Sequence, residues 1–334
     1  MKGTDRKHPP TEAALLALAT ALMLMPVPAG ASDTKHPQAE PGPIRVFILA
    51  GQSNMEGFGA IHEEDKDKVE KKGTLTSLLK DPAKAPAFKH LKDAQGGWTV
   101  RNDVWAFFNG RKGGLTTGFG ANTNLFGLEL QFGHAMGNHL KSQVLIIKTA
   151  WGGKSLYKDF RPPGSGGEVG PCYKQLLDTV TRVLTDLKKE FPSYDGSGVV
   201  LSGLVWWHGW NDGCDPKNAV PEYEKNLVNL IKDLRKDLKA PRLPVVVGEL
   251  TGPWVKVGGE WGELRKAQAA AADPARHPEF QGNVLFVETH DFVRPEKESP
   301  GGWPCHEFNN AETYFRVGNA CGEAMIKLLA AARK

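Results

Sequence analysis

The sequence predicts an α/β fold, a three-layer α/β/α sandwich built on a five-stranded parallel sheet. Three features predict it: short apolar runs of strand length, amphipathic stretches of helical period, and the alternation of the two along the chain. Parallel neighbours need a long crossover, which the helical stretches supply. The apolar runs are Arg45–Ala50, Val144–Lys148, Gly198–Trp207, Leu243–Leu250 and Val284–Val287.

The stretches between and after these runs carry apolar residues at intervals of three and four, the period of a helix with one buried face. Leu227, Leu230 and Leu234, for example, share one face of a single stretch. The predicted helices are Leu125–Leu140, Tyr173–Phe191, Pro221–Leu238, Trp261–Ala272 and Ala311–Ala332.

Length and composition favour one domain with insertions. The chain has 334 residues, of which 40% are hydrophobic, and no internal repeat. We assign residues 44–334 to this domain and residues 61–120, rich in charge and then in glycine, to a surface insertion. The formal net charge of +4, from 42 basic and 38 acidic residues, is too small to indicate a nucleic-acid partner.

The amino terminus predicts export. Basic residues precede the apolar stretch Ala13–Met25, and the small-residue sequence Ala29–Ala31 then suggests cleavage before Ser32. We therefore expect residues 1–31 to be a signal peptide and proline-rich residues 32–43 a disordered lead-in. The mature protein would be secreted or periplasmic and free of the membrane; a retained anchor is the alternative.

Four cysteines lie after the predicted cleavage site. An even number in an exported chain permits two disulfides, with three pairings that the sequence cannot separate. Their spacing does not resemble a zinc site, so no metal is expected. The cysteines are Cys172, Cys214, Cys305 and Cys321.

The predicted strand ends carry the groups that acyl transfer needs. Ser53 follows the first strand, Gly152 and Gly153 the second, and Asn211 the third, while His306 lies before the last helix. A serine hydroxyl needs a general base, which histidine supplies near neutral pH. Backbone N–H groups at Ser53 and at either glycine, together with the Asn211 amide, would stabilise the oxyanion.

These residues carry a family resemblance. GQSNM after the first strand, WGG after the second, GWND after the third and a histidine before the last helix resemble the four blocks of the SGNH-hydrolase superfamily. More narrowly, the chain resembles the sialate O-acetylesterase-like carbohydrate esterases, or SASA-type domains, over about Ile44–Leu329.

The resemblance implies a flavodoxin-like sheet, an acetylated carbohydrate substrate and a Ser/His mechanism without metal or other cofactor. It implies that Ser53 is the nucleophile and His306 the base. The oxyanion hole would be formed by Ser53, Gly153 and Asn211.

Two positions depart from the family pattern. Trp210 stands where many relatives have glutamate, and Trp303 stands three residues before the histidine, where the superfamily usually has an acid. Asp291, at the end of the fifth predicted strand, is our first choice for the acid that orients His306. Glu298 and Asp212 are alternatives, as is a Ser–His dyad supported by a backbone carbonyl.

Other interpretations remain open from the sequence alone. His208 and His290 compete for the role of base, and Asn211 with Asp212 is also typical of an ordinary turn. Tryptophans near the strand ends could belong to the core or stack on sugar rings. The alternative functions are a carbohydrate-binding protein with an inactive serine and a lipase for long acyl chains. The tryptophans are Trp151, Trp206, Trp207, Trp210 and Trp303.

Overall fold

The structure, a computed structural model, describes residues 38–251 and 258–332, which belong to one compact unit. The predicted signal peptide, residues 1–31, lies outside the described residues. The strands are β1 Glu40–Gly51, β2 Gly59–Ala60, β3 Arg101–Phe108, β4 Arg111–Leu115, β5 Leu125–Phe126, β6 Ser142–Ala150, β7 Val199–Trp207, β8 Val245–Gly248 and β9 Val284–Val287. The helices are α1 Ser53–Glu56, α2 Leu75–Lys80, α3 Ala85–Phe88, α4 Glu129–His139, α5 Pro171–Thr185, α6 Leu187–Glu190, α7 Trp210–Gly213, α8 Ala219–Asp237, α9 Gly259–Ala271 and α10 Ala311–Ala331.

The central sheet has the strand order β4-β3-β6-β1-β7-β8-β9 and is parallel except for the β3–β4 pair. The five predicted strands are confirmed as β1, β6, β7, β8 and β9. Taken alone, their order is second, first, third, fourth, fifth, which is the flavodoxin-like order. The carboxyl ends of β1, β6 and β7 therefore meet at one edge.

The predicted strand number is wrong, because the sheet has seven strands rather than five. The two extra strands, β3 and β4, form an antiparallel hairpin inside residues 61–120, which we expected to be a surface insertion. The glycines and charges of β4 hide its strand pattern from the sequence. Asn109 and Gly110, with φ of 48° and 78°, form the connecting turn, and Asn-Gly is the strongest short signal for such a hairpin.

Helices cover both faces of the sheet, which explains the near-continuous apolar sequence of β1. Val46 and Ile48 pack on one face with residues of α5, α8 and α9. Phe47 and Leu49 pack on the other face with residues of α4 and α10. This alternation gives the three predicted layers.

The amino end of β1 extends further than the sequence suggests. β1 begins at Glu40, which pairs with Ser142, so residues 40–43 of the expected lead-in belong to a strand. Within the described ranges, no helix is both long and apolar enough to cross a membrane.

Candidate active site

Ser53 lies where the sequence predicts it, at the first residue of α1 directly beyond β1. The strand end is tight, because a methyl group at Gly51 would collide with the carbonyl oxygen of Trp207 on the neighbouring strand. Ser53 is 9% exposed, and its hydroxyl forms no hydrogen bond with any described residue. The hydroxyl is therefore available to a substrate at the sheet edge.

Gln52 holds the loop after β7 against the nucleophile turn. Its Nε2 donates to Asn211 Oδ1 at 2.9 Å, and its Oε1 accepts the backbone N–H of Gly209 at 3.1 Å and of Asn211 at 3.4 Å. Asn211 Nδ2 in turn donates to the carbonyl oxygen of Gly153 at 3.1 Å. We refer to Gln52, Gly152–Gly153 and Gly209–Asn211 as the oxyanion side.

The glycine turn after β6 lies beside the nucleophile. A methyl group at Gly152 would lie 3.6 Å from Ser53 Cβ and 3.1 Å from Glu56 Oε2. Burial raises the pKa of Glu56, while the backbone N–H of Gly152 and the charge of Lys148 partly offset this. Gly153 has a φ of 69°. The turn thus offers a main chain that a substrate carbonyl can approach closely.

Asp212 and His208 are buried supports of this side. Asp212 accepts the backbone N–H groups of Leu156 and Tyr157 at 2.8 and 2.9 Å, and burial raises its pKa to about 7. His208 Nε2 lies 2.9 Å from the carbonyl oxygen of Lys154, and burial lowers the pKa of His208 to about 3. Both side chains bond to backbone groups of the loop after β6. Asp212 is therefore not the acid that orients His306, and His208 is not the base.

Asn54, the residue after Ser53, holds the loop that carries His306. Asn54 Nδ2 donates to Glu307 Oε1 at 3.3 Å, and Asn54 Oδ1 accepts the hydroxyl of Tyr314 at 2.8 Å. The Tyr314 oxygen also lies 3.3 Å from the carbonyl oxygen of His306. We refer to Asn54, His306, Glu307 and Tyr314 as the base side.

The backbone after His306 is strained. Glu307, Phe308 and Asn309 have φ of 54°, 51° and 58°, so three consecutive non-glycine residues adopt the left-handed conformation. Each such residue costs on the order of 1–3 kcal/mol and persists only where its surroundings hold it. The contact of Asn54 with Glu307 is one such restraint.

The His306 ring stacks on Phe58, with 3.9 Å between ring centroids and 15° between ring planes. Burial lowers the pKa of His306. No hydrogen bond joins the ring to Ser53 among the described residues; in unliganded enzymes such bonds are often long and tighten only when substrate binds.

The structure does not bring the expected acids to His306. The Asp291 side chain is 80% exposed, and its carboxylate lies 3.8 Å from Nε2 of His290. His290, a competing base in the sequence, is paired instead with buried Glu249, at 2.7 Å from Nδ1 to Oε2. Glu298 is exposed.

The tryptophans divide between core and surface. Trp206 and Trp207 are fully buried within the sheet, whereas Trp151 and Trp210 are partly buried. Trp303 is 72% exposed, three residues before His306. Trp303 therefore offers an aromatic face next to the candidate base.

All four cysteines are free thiols in the structure, so neither of the two permitted disulfides is formed. Burial raises the pKa of Cys172 to about 11 and of Cys321 to about 12, which keeps both thiols protonated and unreactive. Within residues 38–251 and 258–332, no group of three or more His, Cys, Asp or Glu side chains is arranged to hold a metal ion.

Sequence reasoning missed four residues of the site. Gln52 and Asn54 flank Ser53 in the same motif, and their amide side chains were the available signal. Phe58 and Tyr314 carry no local signal, since Phe58 contacts His306 and Tyr314 contacts Asn54, both of which are distant in sequence.

Comparisons with known proteins show the family of this chain. A family model described as carbohydrate esterase, sialic acid-specific acetylesterase, matches residues 43–327. A probable carbohydrate esterase of Arabidopsis thaliana is 25% identical over 239 residues, which are 71% of this chain and 78% of that protein.

The first of two similar solved structures shares the fold. The X-ray structure of a protein from Arabidopsis thaliana has a TM-score of 0.55 at 17% identity, covering 85% of this chain and 98% of that one. A carbohydrate acetylesterase from Xanthomonas citri has a TM-score of 0.46 at 13% identity, covering 75% of this chain and 51% of that one.

Proposed function

Since the chain belongs to the sialic acid-specific acetylesterase family of carbohydrate esterases, we propose that it is a serine esterase that removes O-acetyl groups from carbohydrates. The observation that carries the proposal is the setting of Ser53. Its unbonded hydroxyl lies between Gln52, which holds the oxyanion side, and Asn54, which holds the base side.

In the first step, the Ser53 oxygen attacks the acetyl carbonyl carbon while His306 takes the hydroxyl proton. Negative charge develops on the carbonyl oxygen, where the Ser53 N–H, the glycine turn and the Asn211 amide are the candidate donors. The C–O bond to the sugar then breaks, and protonated His306 returns the proton to the leaving sugar oxygen.

In the second step, water attacks the acetyl-serine with His306 again as base. Acetate leaves, and the Ser53 hydroxyl regains its proton. Exposed Trp303 is our candidate for the surface on which a sugar ring stacks.

We also propose that the protein acts outside the cytoplasm, as a secreted or periplasmic enzyme. The basic, apolar and small-residue segments of residues 1–31 support this proposal. Amino-terminal sequencing of the exported protein should begin at Ser32.

The central experiment is hydrolysis of 4-nitrophenyl acetate by the wild type, Ser53→Ala and the matched control Ser193→Ala, an exposed serine in a turn. We expect Ser53→Ala to lower kcat by about 10³-fold or more, since the nucleophile is lost. Ser193→Ala should match the wild type. Equal turnover by Ser53→Ala would contradict the proposal.

Two further assays separate the alternative functions. Binding of acetylated glycans without release of acetate would favour the carbohydrate-binding alternative. Activity that rises from acetyl to decanoyl esters would favour a lipase. We expect acetate to be the best substrate of that series.

A further inference from the structure

His306 has no acid partner in the structure. No described carboxylate forms a hydrogen bond or ion pair with its ring, and burial is the cause that shifts its pKa. Residues 252–257, which lie outside the described residues, contain neither Asp nor Glu. The acid that normally orients the histidine and stabilises its protonated form is therefore missing from the whole of residues 38–332.

The contact that does define the ring is the stack on Phe58. A centroid separation of 3.9 Å and an interplanar angle of 15° fix the plane of the imidazole. The face of an aromatic ring also attracts a cation above it, so Phe58 would favour the imidazolium that forms when Ser53 is deprotonated. These are the two tasks that a carboxylate performs in a triad.

Phe58 is itself held rigidly between two glycines. A methyl group at Gly57, whose φ is 96°, would collide with the backbone of Gly127. Gly59 pairs with Phe126 in the small β2–β5 sheet. Just before this segment, Lys148 Nζ donates to the carbonyl oxygen of Glu56 at 2.7 Å. The aromatic platform is therefore fixed by its own backbone.

The backbone of His306 is restrained from the other side. The hydroxyl of Tyr314 lies 2.8 Å from Asn54 Oδ1 and 3.3 Å from the His306 carbonyl oxygen, and its single proton favours the nearer acceptor. Asn54, next to the nucleophile, accepts this hydroxyl and donates to Glu307, the residue after His306. The histidine loop is thereby joined to the nucleophile turn. Ring plane and backbone are thus set by different contacts, neither of which is ionic.

We propose that Phe58 is the positioning residue for His306, and that it takes the place of the orienting acid in a Ser–His dyad. This inference rests on the proposed function, because it concerns the base of that reaction. It also predicts the position of the histidine ring, which can be measured even in an inactive variant.

The first test compares Phe58→Leu, which keeps apolar bulk but loses the ring face, with Phe58→Tyr, which keeps the ring. With 4-nitrophenyl acetate, we expect Phe58→Leu to lower kcat about tenfold or more with KM nearly unchanged, because the base is misplaced. Phe58→Tyr should restore the wild-type kcat. Full activity of Phe58→Leu would overturn the proposal, as would a comparable loss in Asp291→Asn or Glu298→Gln.

The second test does not need activity. NMR spectra of Ser53→Ala would be compared with those of the double variant Ser53→Ala/His306→Gln, in which the His306 ring signals are absent and can so be assigned. In Ser53→Ala, we expect the stacked Phe58 ring to shift these signals upfield. Burial outweighs the attraction of the Phe58 ring for the imidazolium, so their titration midpoint should lie below that of an ordinary histidine. A midpoint above that value would reveal an acid partner and overturn the proposal. If the wild type hydrolyses no acetate, the proposed function fails while this measurement still decides the position of the ring.

Discussion

The oxyanion side and the base side of Ser53 are built from different chemistry. On the oxyanion side, Gln52 and Asn211 are neutral amides that bond to each other and to backbone groups. The buried titratable groups behind it are shifted towards their neutral forms, with His208 lowered to a pKa of about 3 and Asp212 raised to a pKa of about 7.

The base side has a strained backbone and leads directly into the ion-paired first turn of α10. Glu307 is buried against Asn54, and the first turn of α10 carries Glu312, which pairs with Arg294 and Lys84. Burial alone raises the pKa of Glu312, but hydrogen bonds from Arg294 and Lys84 outweigh it and lower the pKa to about 2. The difference is that amide hydrogen bonds hold the oxyanion side, whereas ion pairs hold the start of the helix that follows the base side.

Among variants that distinguish the two sides, Gln52→Ala should have the largest effect, because it removes the central amide of the oxyanion side. Two backbone N–H groups lose their acceptor and Asn211 loses its donor, so the Asn211 amide, a proposed oxyanion donor, is less well fixed. We expect kcat to fall about 10²-fold, similar to the loss of one oxyanion donor. KM should change little, and steady-state kinetics with 4-nitrophenyl acetate measure both.

The variant Gln52→Glu sharpens this prediction. It keeps an oxygen acceptor for Gly209 but cannot donate to Asn211 Oδ1. An intermediate kcat would show that both halves of the amide contribute. A rise in KM alone would contradict a role in the transition state.

Glu312→Gln should have the second-largest effect, on stability. The folded-state pKa is below the unfolded one, so the ionised carboxyl stabilises the protein above about pH 4.5, and this contribution is lost as pH falls towards 2. At pH 7 the substitution should lower the free energy of unfolding by about 2 kcal/mol, discounting for the partly exposed lysine partner.

Urea unfolding at several pH values measures this effect. The difference between wild type and Glu312→Gln should shrink from pH 5 downwards. The matched control Glu168→Gln, an exposed carboxyl, should change the free energy by less than about 0.5 kcal/mol at every pH. A difference that stays constant with pH would show that Glu312 does not act through its charge.

A smaller effect is expected for Asn54→Ala, which removes the link between the nucleophile turn and the base side. Glu307 loses a donor while buried, which costs about 1–2 kcal/mol of stability. We expect kcat to fall about tenfold, because the strained turn that carries His306 is less restrained. Asn54→Asp should lower kcat by a similar factor, since it loses the amide group that donates to Glu307 Oε1. Equal activity of both variants and the wild type would contradict the link.

The sequence predicts residues that follow apolar strands better than residues held by distant contacts. Ser53, Gly153 and Asn211 follow strands whose apolar runs are unmistakable, so topology alone brings them to one edge. The hairpin of β3 and β4 was not predicted, because β4 contains two adjacent glycines and few apolar side chains. Its turn, Asn109-Gly110, was the usable signal.

The orientation of His306 could not be predicted, for a physical reason. Asp291 follows a strand and so resembles a site residue, yet its side chain points to solvent beside His290. Phe58 reaches the histidine only through the three-dimensional packing of two distant loops. A stacking contact leaves no spacing pattern in the sequence, whereas a strand end does.

The smallest expected effect concerns the cysteines, which decide whether the two sides are covalently joined. Cys214 follows α7 on the oxyanion side and Cys305 directly precedes His306, and both are free thiols. Without reductant, a thiol-reactive dye should therefore count four thiols in denaturant, but only exposed Cys214 and partly exposed Cys305 in the native protein. Reductant should leave the melting temperature unchanged within about 1 °C, because no cross-link constrains the unfolded chain. Two thiols in denaturant and a reductant-sensitive melting temperature would instead show a disulfide. A bond between Cys214 and Cys305 would join the two sides of Ser53 covalently.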